Sequence, residues 1–264
     1  MKDPNDPLIV RREPPLGWLI LNRPQVRNAL NLATWNRIAE GVAELDADPQ
    51  VRVIIMCGAT TDAFIAGADI SEFPALRADA AQARIYRDAP NRALAAMVNC
   101  NKPIVAMISG VCVGGGVQVA LGCDIRFAAS GTRLGVPAAR LGLAYPLEGV
   151  LALIGVVGPA NARDILLSAR LFDANEALAM GLVNRVLEPA ELEESTLNYA
   201  LKMAANAPLT LAASKATIRE ALKDPDQRNA KLVSELIARC FDSEDYSEGV
   251  RAFLEKRQPK FSGR

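Results

Sequence analysis

The sequence predicts an α/β fold with a helical C-terminal region. Three observations predict it. Apolar strand-like runs alternate with helical spacings as far as Pro159. The strand interiors are continuously apolar, as in strands covered on both faces of a parallel sheet. Beyond Pro159 nearly every segment carries helical spacing instead.

In order, Leu8–Arg12 and Gly17–Leu21 read as two strands joined across Pro14-Pro15. Leu32, Trp35, Ile38, Val42 and Leu45 recur at helical spacing, predicting a helix that ends near Asp48-Pro49. Residues 51–57 form an apolar strand, and residues 60–69 a loop of small residues. Residues 71–88 are alanine-rich, charged and weakly periodic, the pattern of a mobile flap, and residues 91–98 return to helix. A strand over 103–108 leads to Gly110 and to Gly114-Gly115-Gly116, which opens a helix to Leu121. A further strand covers 124–128. Helices are then expected over 159–168, 175–180, 189–205, 209–222, 228–241 and 244–257, dividing the chain into a core (1–190) and a helical region (191–264).

With 264 residues, half of them hydrophobic, the chain can bury one large core. Lys+Arg and Asp+Glu both number 30, with no basic stripe, so nothing supports capture of nucleic acid or an anionic membrane. Cys57, Cys100, Cys112, Cys123 and Cys240 lie in or beside apolar runs without a CxxC pair. They read as reduced, packed thiols of a cytoplasmic protein, with Cys57 or Cys112 as a nucleophile the alternative. Residues 1–15 are polar and proline-broken, unlike a secretory signal, and no apolar stretch is expected to reach membrane-spanning length. Histidine is absent. That removes Ser-His-Asp and Cys-His nucleophiles and His-ligated zinc, leaving proton transfer to carboxylates, tyrosine, lysine, cysteine or water.

Two turns carry the chemistry. Phe64-Ile65-Ala66-Gly67-Ala68-Asp69-Ile70 and Val113-Gly114-Gly115-Gly116-Val117-Gln118 each join an apolar run to small residues whose bare N–H groups can approach a ligand. Two such donors aimed at one point would make an oxyanion hole. The glycines lack Gly-x-Gly-x-x-Gly spacing and no Gly-Lys-Ser/Thr follows, so neither a dinucleotide site nor a P-loop is present. The glycine triplet alone would equally suit tight helix–strand packing.

Together with Leu21-Asn22-Arg23-Pro24, Asn28-Ala29-Leu30, residues 102–106, Cys123-Asp124-Ile125-Arg126 and residues 243–257, these turns resemble the enoyl-CoA hydratase/isomerase (crotonase) superfamily over nearly the whole chain. The resemblance implies a crotonase-like spiral of ββα units with helical C-terminal packing, assembled as a homotrimer or dimer of trimers. It places the oxyanion-hole donors on the N–H groups of Ala68 and Gly115. It implies an acyl-CoA substrate, with Arg27 and Ala29 along the pantetheine and phosphate path, and Ala66 also in contact. Asp69 and Ile70 would lie near the adenine, with Phe253 and Lys256 closing the nucleotide site. From spacing alone, Phe253 equally fits an apolar stripe with Tyr246, Val250 and Leu254. Coenzyme A arrives with the substrate, and no metal or redox cofactor is implied.

The family's hydratases use two glutamates as base and acid. Here the matching positions are Gln118 and Ala138. An amide cannot shuttle protons near neutral pH, and alanine has nothing to shuttle. What remains nearby is Tyr145 and Glu148. Residues 141–146 and 243–257 also resemble methylmalonyl-CoA decarboxylases. The expectation is therefore a lyase in which Tyr145 donates a proton and Gln118 positions a substrate group or water. Alternatives are a hydratase or isomerase using Glu148, and a non-catalytic acyl-CoA-binding protein. Tyr145 also fits as a packed aromatic, and Glu148 as a helix-start carboxylate. Asp124 is expected to be structural, and Asp62, Glu72 and Asp79 solvated.

Overall fold

The computed structural model describes residues 6–264, so the first five residues of the polar N-terminal segment lie outside the described part. β1 (Leu8–Glu13) and β2 (Leu16–Leu21) form an antiparallel hairpin around Pro14-Pro15. α1 (Leu32–Ala47) starts where the Asn31 side chain accepts the Thr34 N–H at 2.9 Å, and buries Trp35, Ile38, Val42 and Leu45. β3 (Val53–Gly58) and β4 (Ala63–Ile65) follow, then α2 (Phe73–Leu76) and α3 (Ala80–Asn99).

The next two rounds repeat the plan. β5 (Ile104–Ile108), β6 (Val111–Val113) and α4 (Gly115–Gly122) make one round; β7 (Ile125–Ala129), β8 (Arg133–Gly135) and α5 (Leu147–Ser168) make the other. β9 (Leu171–Asp173), α6 (Ala174–Ala179) and β10 (Arg185–Leu187) close the sheets. Four helices complete the chain: α7 (Pro189–Ala204), α8 (Pro208–Ala221), α9 (Ala230–Phe241) and α10 (Glu244–Leu254).

Each round contributes one strand to a large sheet and one to a small sheet. The large sheet runs β1-β2-β3-β5-β7-β10, parallel from β2 onward; the small one runs β4-β6-β8-β9. The chain therefore winds as a spiral of ββα units. The main core, with Trp35, Met56, Phe64, Met97 and Phe172, lies between the sheets and α1, α3, α4 and α5. On the other face of the large sheet, Ala200 and Ala204 of α7 cover Trp18, Val53, Ile55 and Val105.

Four expectations are corrected. The segment read as flap and helix is, from Ala80 onward, one 20-residue helix that runs through Pro90 and buries Tyr86, Ala89, Ala93 and Met97. The four small-sheet strands and β10 fall in segments where no strand was expected. The helix expected over 159–168 is the second half of α5, which starts at Leu147 and is broken only at Gly158 (φ 73°). At 22 residues and a mean hydropathy of 1.6 over its most apolar window, α5 is also long and apolar enough to cross a membrane by length and composition, contrary to expectation. In the fold it buries Leu153, Val157, Ala162 and Ile165.

Candidate active site

The loop after β4 is held by the segment that precedes α1. The Ala66 N–H donates to Arg27 O (3.0 Å), the Leu30 N–H to Gly67 O (2.8 Å), and the Asp69 N–H to Leu30 O (2.9 Å). Asn28 anchors this ladder. Buried, with φ 57°, it donates its amide to Ala63 O (2.9 Å) and accepts the Arg23 N–H (2.9 Å). The Ala68 N–H is left without a partner among the described residues.

The second turn approaches from β6. Gly114, at φ 54°, donates its N–H to Gly135 O (2.8 Å) and accepts those of Val117 and Gln118 at the start of α4. A Cβ at Gly116 would lie 2.6 Å from Ile65 O, so only glycine lets α4 seat this close to β4. The Gly115 N–H, in the first turn of α4, also has no partner among the described residues. A Cβ on Gly115 would sit 3.8 Å from the Ala68 nitrogen, so the two unpaired donors belong to touching loops. This is what an oxyanion needs: fixed donors whose hydrogen bonds are not yet spent, with a helix N-terminus behind one of them.

Both residues line a cavity of about 280 Å³. Ala66, Ile70, Gln118, Ala138, Tyr145 and Glu148 line it too. Gln118 and Tyr145 meet over Gly149 of α5. A Cβ there would come within 2.7 Å of the Tyr145 ring and 2.9 Å of the Gln118 amide nitrogen. The Tyr145 hydroxyl is buried with no hydrogen-bond partner, and burial raises its pKa above the ordinary phenol value. Glu148 sits in the first turn of α5, exposed and without an ion pair among the described residues. Among the described residues it is the one carboxylate on the cavity wall.

Other expected residues lie elsewhere. Arg27 and Ala29 belong to the supporting ladder, and Arg27 reaches it through its carbonyl. Asp69 is paired with Arg23 (2.9 Å) and accepts from Ser71, contacts that lower its pKa. Phe253 is 83% exposed and lines an apolar groove of α8, α9 and α10, away from the cavity. Lys256 follows α10 and lines no part of the cavity either. The stripe of Tyr246, Val250, Phe253 and Leu254 is exposed throughout, so it is not core of this chain.

Asp124 is structural: one oxygen accepts from the Ile104 N–H (2.7 Å) and Lys215 (2.8 Å). Glu72 is not solvated, because it accepts the Leu32 N–H (2.9 Å) at the start of α1. Cys57 and Cys112 are buried and burial raises their pKa values, that of Cys57 to about 12, so neither is a ready thiolate. Sequence reasoning missed the anchoring role of Asn28 and the contact at Gly149. Asn28 was visible as part of a motif, but nothing in the chain announces its left-handed backbone.

Comparisons with known proteins agree with this architecture. The family model for enoyl-CoA hydratase/isomerase matches residues 15–264. A short-chain-enoyl-CoA hydratase of Clostridium acetobutylicum is 33% identical over 251 residues, 95% of each chain. A crotonyl-CoA hydratase of Syntrophomonas wolfei is 34% identical, covering 96% of this chain and 97% of its own. The crystal structure of an enoyl-CoA hydratase/carnithine racemase from Magnetospirillum magneticum matches with TM-score 0.94 at 40% identity, over 98% of this chain and 96% of that one. Matched by the family model and by these relatives over nearly its whole length, the chain belongs to the enoyl-CoA hydratase/isomerase family.

Proposed function

We propose that the protein binds an acyl-CoA thioester, stabilises its enolate with the Ala68 and Gly115 N–H groups, and acts as a lyase of the decarboxylase type. The observation that carries this reading is the buried, unpaired Tyr145 hydroxyl on the wall of a cavity that holds two unpaired N–H donors and a single carboxylate. Losing one donor of such a hole typically costs ~3 kcal/mol of transition-state stabilisation.

In the proposed step the bond from the α-carbon to the carboxylate breaks and CO2 leaves. Its electron pair passes into the thioester enolate, whose oxygen is held by the two N–H groups. The α-carbon then takes the Tyr145 proton, and water reprotonates the phenolate. Burial keeps Tyr145 neutral and ready to donate, and a phenol remains a far stronger acid than the α-carbon of a thioester. Gln118 holds a substrate group or water through its amide. The absence of carboxylates at Gln118 and Ala138 also removes repulsion against a substrate carboxylate.

Around this site, Arg27, Ala29, Ala66, Asp69 and Ile70 would border coenzyme A. The exposed groove of α8 to α10 supports 191–264 as the trimerisation region. Phe253 and Lys256 would then serve the nucleotide site of a neighbouring copy.

A second reading is hydratase or isomerase with Glu148 as its acid–base group. It is favoured by the free Glu148 carboxylate on the cavity wall and by relatives named as hydratases. Mass spectrometry of butyryl-, crotonyl-, malonyl- and methylmalonyl-CoA incubated in deuterated buffer separates the readings. CO2 loss that vanishes in Tyr145→Phe supports the lyase. Hydration of crotonyl-CoA that vanishes in Glu148→Gln supports the second reading. Binding without conversion or α-deuteration would leave an acyl-CoA-binding protein.

A further inference from the structure

One part of the cavity wall is cationic. Arg77, just after α2, lies with its guanidinium carbon 4.1 Å from the centre of the Phe73 ring and 5.3 Å from that of Tyr86. Arg87, exposed and about two turns into α3, lines the same cavity. Among the described residues no carboxylate lies within ion-pair distance of either guanidinium, and neither donates a side-chain hydrogen bond. The nearby acid, Glu72, is engaged with the Leu32 N–H (2.9 Å) and faces the Tyr86 hydroxyl at 3.4 Å. The wall thus carries two arginines against one carboxylate, Glu148.

This arrangement is costly in the empty protein. Arg77 is partly desolvated beside a like charge, and both effects lower its pKa. The ring contacts offset only part of that cost, since a cation over an aromatic face is a modest interaction. They do fix the guanidinium in place. A fixed, partly desolvated fork without a counter-ion is suited to receiving an anion in bidentate fashion.

We infer that Arg77, held by Phe73 and Tyr86 and assisted by Arg87, receives an anionic oxygen group of the ligand, and that this group is a carboxylate on the acyl chain remote from the thioester. The inference rests on the acyl-CoA reading above and adds the class of acyl group to it. The carboxylate bound here is not one that departs. Loss of CO2 would destroy the ion pair on the way to the transition state, so the contact would stabilise the ground state more and slow the reaction. Arg77 therefore selects and orients a retained carboxylate, and any decarboxylation would occur at a second one beside the hole.

Calorimetric titration with coenzyme A, butyryl-CoA and glutaryl-CoA tests this, using the wild-type protein, Arg77→Met, Arg77→Lys and Arg87→Met. The wild type is expected to bind glutaryl-CoA at least about tenfold more tightly than butyryl-CoA. Arg77→Met should erase that preference without changing binding of coenzyme A or butyryl-CoA, and Arg77→Lys should restore part of it. Absence of a preference in the wild type overturns the inference, and needs no variant to fold. Equal weakening of all three ligands, coenzyme A included, would mean that Arg77 meets a phosphate and also overturns it. If Arg77→Met does not fold, loss of the preference in Arg87→Met decides in its favour and retention decides against it. Because the readout is binding, a failure of enolate chemistry would appear separately, as missing α-deuteration with the preference intact.

Discussion

Leu30 brackets Ala68. Its N–H donates to Gly67 O at 2.8 Å and its carbonyl accepts the Asp69 N–H at 2.9 Å, so the loop is fixed on both sides of the unpaired Ala68 N–H. An oxyanion donor gains by this arrangement, because no reorganisation is needed when charge develops. The ladder that supplies Leu30 depends on the left-handed turn at Asn28, and that dependence can be tested.

Asn28→Ala removes the hydrogen bonds to Ala63 and Arg23 and places a Cβ-bearing residue without a polar side chain at φ 57°. At about 1 kcal/mol per bond plus about 1 kcal/mol of backbone strain, unfolding free energy should fall by about 2–3 kcal/mol. Asn28→Gly should recover about 1 kcal/mol of it. Urea melts of the three proteins decide the matter. Equal stability of Ala and Gly variants would mean that backbone strain plays no part.

Tyr145→Phe separates packing from chemistry. The hydroxyl is buried without a partner, so deleting it sacrifices no hydrogen bond, and stability should hold or rise slightly. Turnover should fall by about 10²-fold or more if the phenol delivers the proton. A stable variant with full turnover would remove Tyr145 from the mechanism; a destabilised one would show that the hydroxyl has a partner in solution.

The parts of the fold legible in the sequence are those with strong periodicity. Residues 53–57 are buried without interruption, and α1 presents Trp35, Ile38, Val42 and Leu45 on one face, so both announce themselves. Strands of three residues such as Val111–Val113 and Arg133–Gly135 have too few side chains to show alternation, and pairing across the small sheet forms them. The first half of α3 escaped because Pro90, a helix-breaking residue, separates it from the stretch over 91–98 that read as helix. At the site, the turns of Ala68 and Gly115 were legible as patterns. The stacking of Arg77 on Tyr86 was not, because it joins the end of α2 to α3 through tertiary contact.

Burial also sets the alkaline behaviour. The Cys57 and Cys100 thiols are held at about 12, against an ordinary 9.0. Between those values the unfolded chain loses these protons while the folded chain keeps them, so stability falls as pH rises. The slope per thiol approaches about 1.4 kcal/mol per pH unit at most, less for whatever water reaches the group. Urea melts at about pH 8 and about pH 10.5 should differ accordingly, and Cys57→Ala should flatten the difference. An unchanged slope in that variant would show that Cys57 ionises alike in both states.

Placing carboxylates where Gln118 and Ala138 stand tests whether their absence directs the chemistry. Both positions line the cavity beside the unpaired Ala68 and Gly115 N–H groups. In the double variant Gln118→Glu, Ala138→Glu, mutual repulsion and partial burial would raise one carboxyl pKa, giving an acid and a base on opposite sides of one water. Crotonyl-CoA hydration should then rise by about 10²-fold or more, while decarboxylation of a malonyl-type thioester should fall through repulsion of its carboxylate. Hydration that does not respond would point instead to Tyr145. Its ring meets residue 118 over Gly149, and a side chain packed there would exclude the water that two carboxylates need.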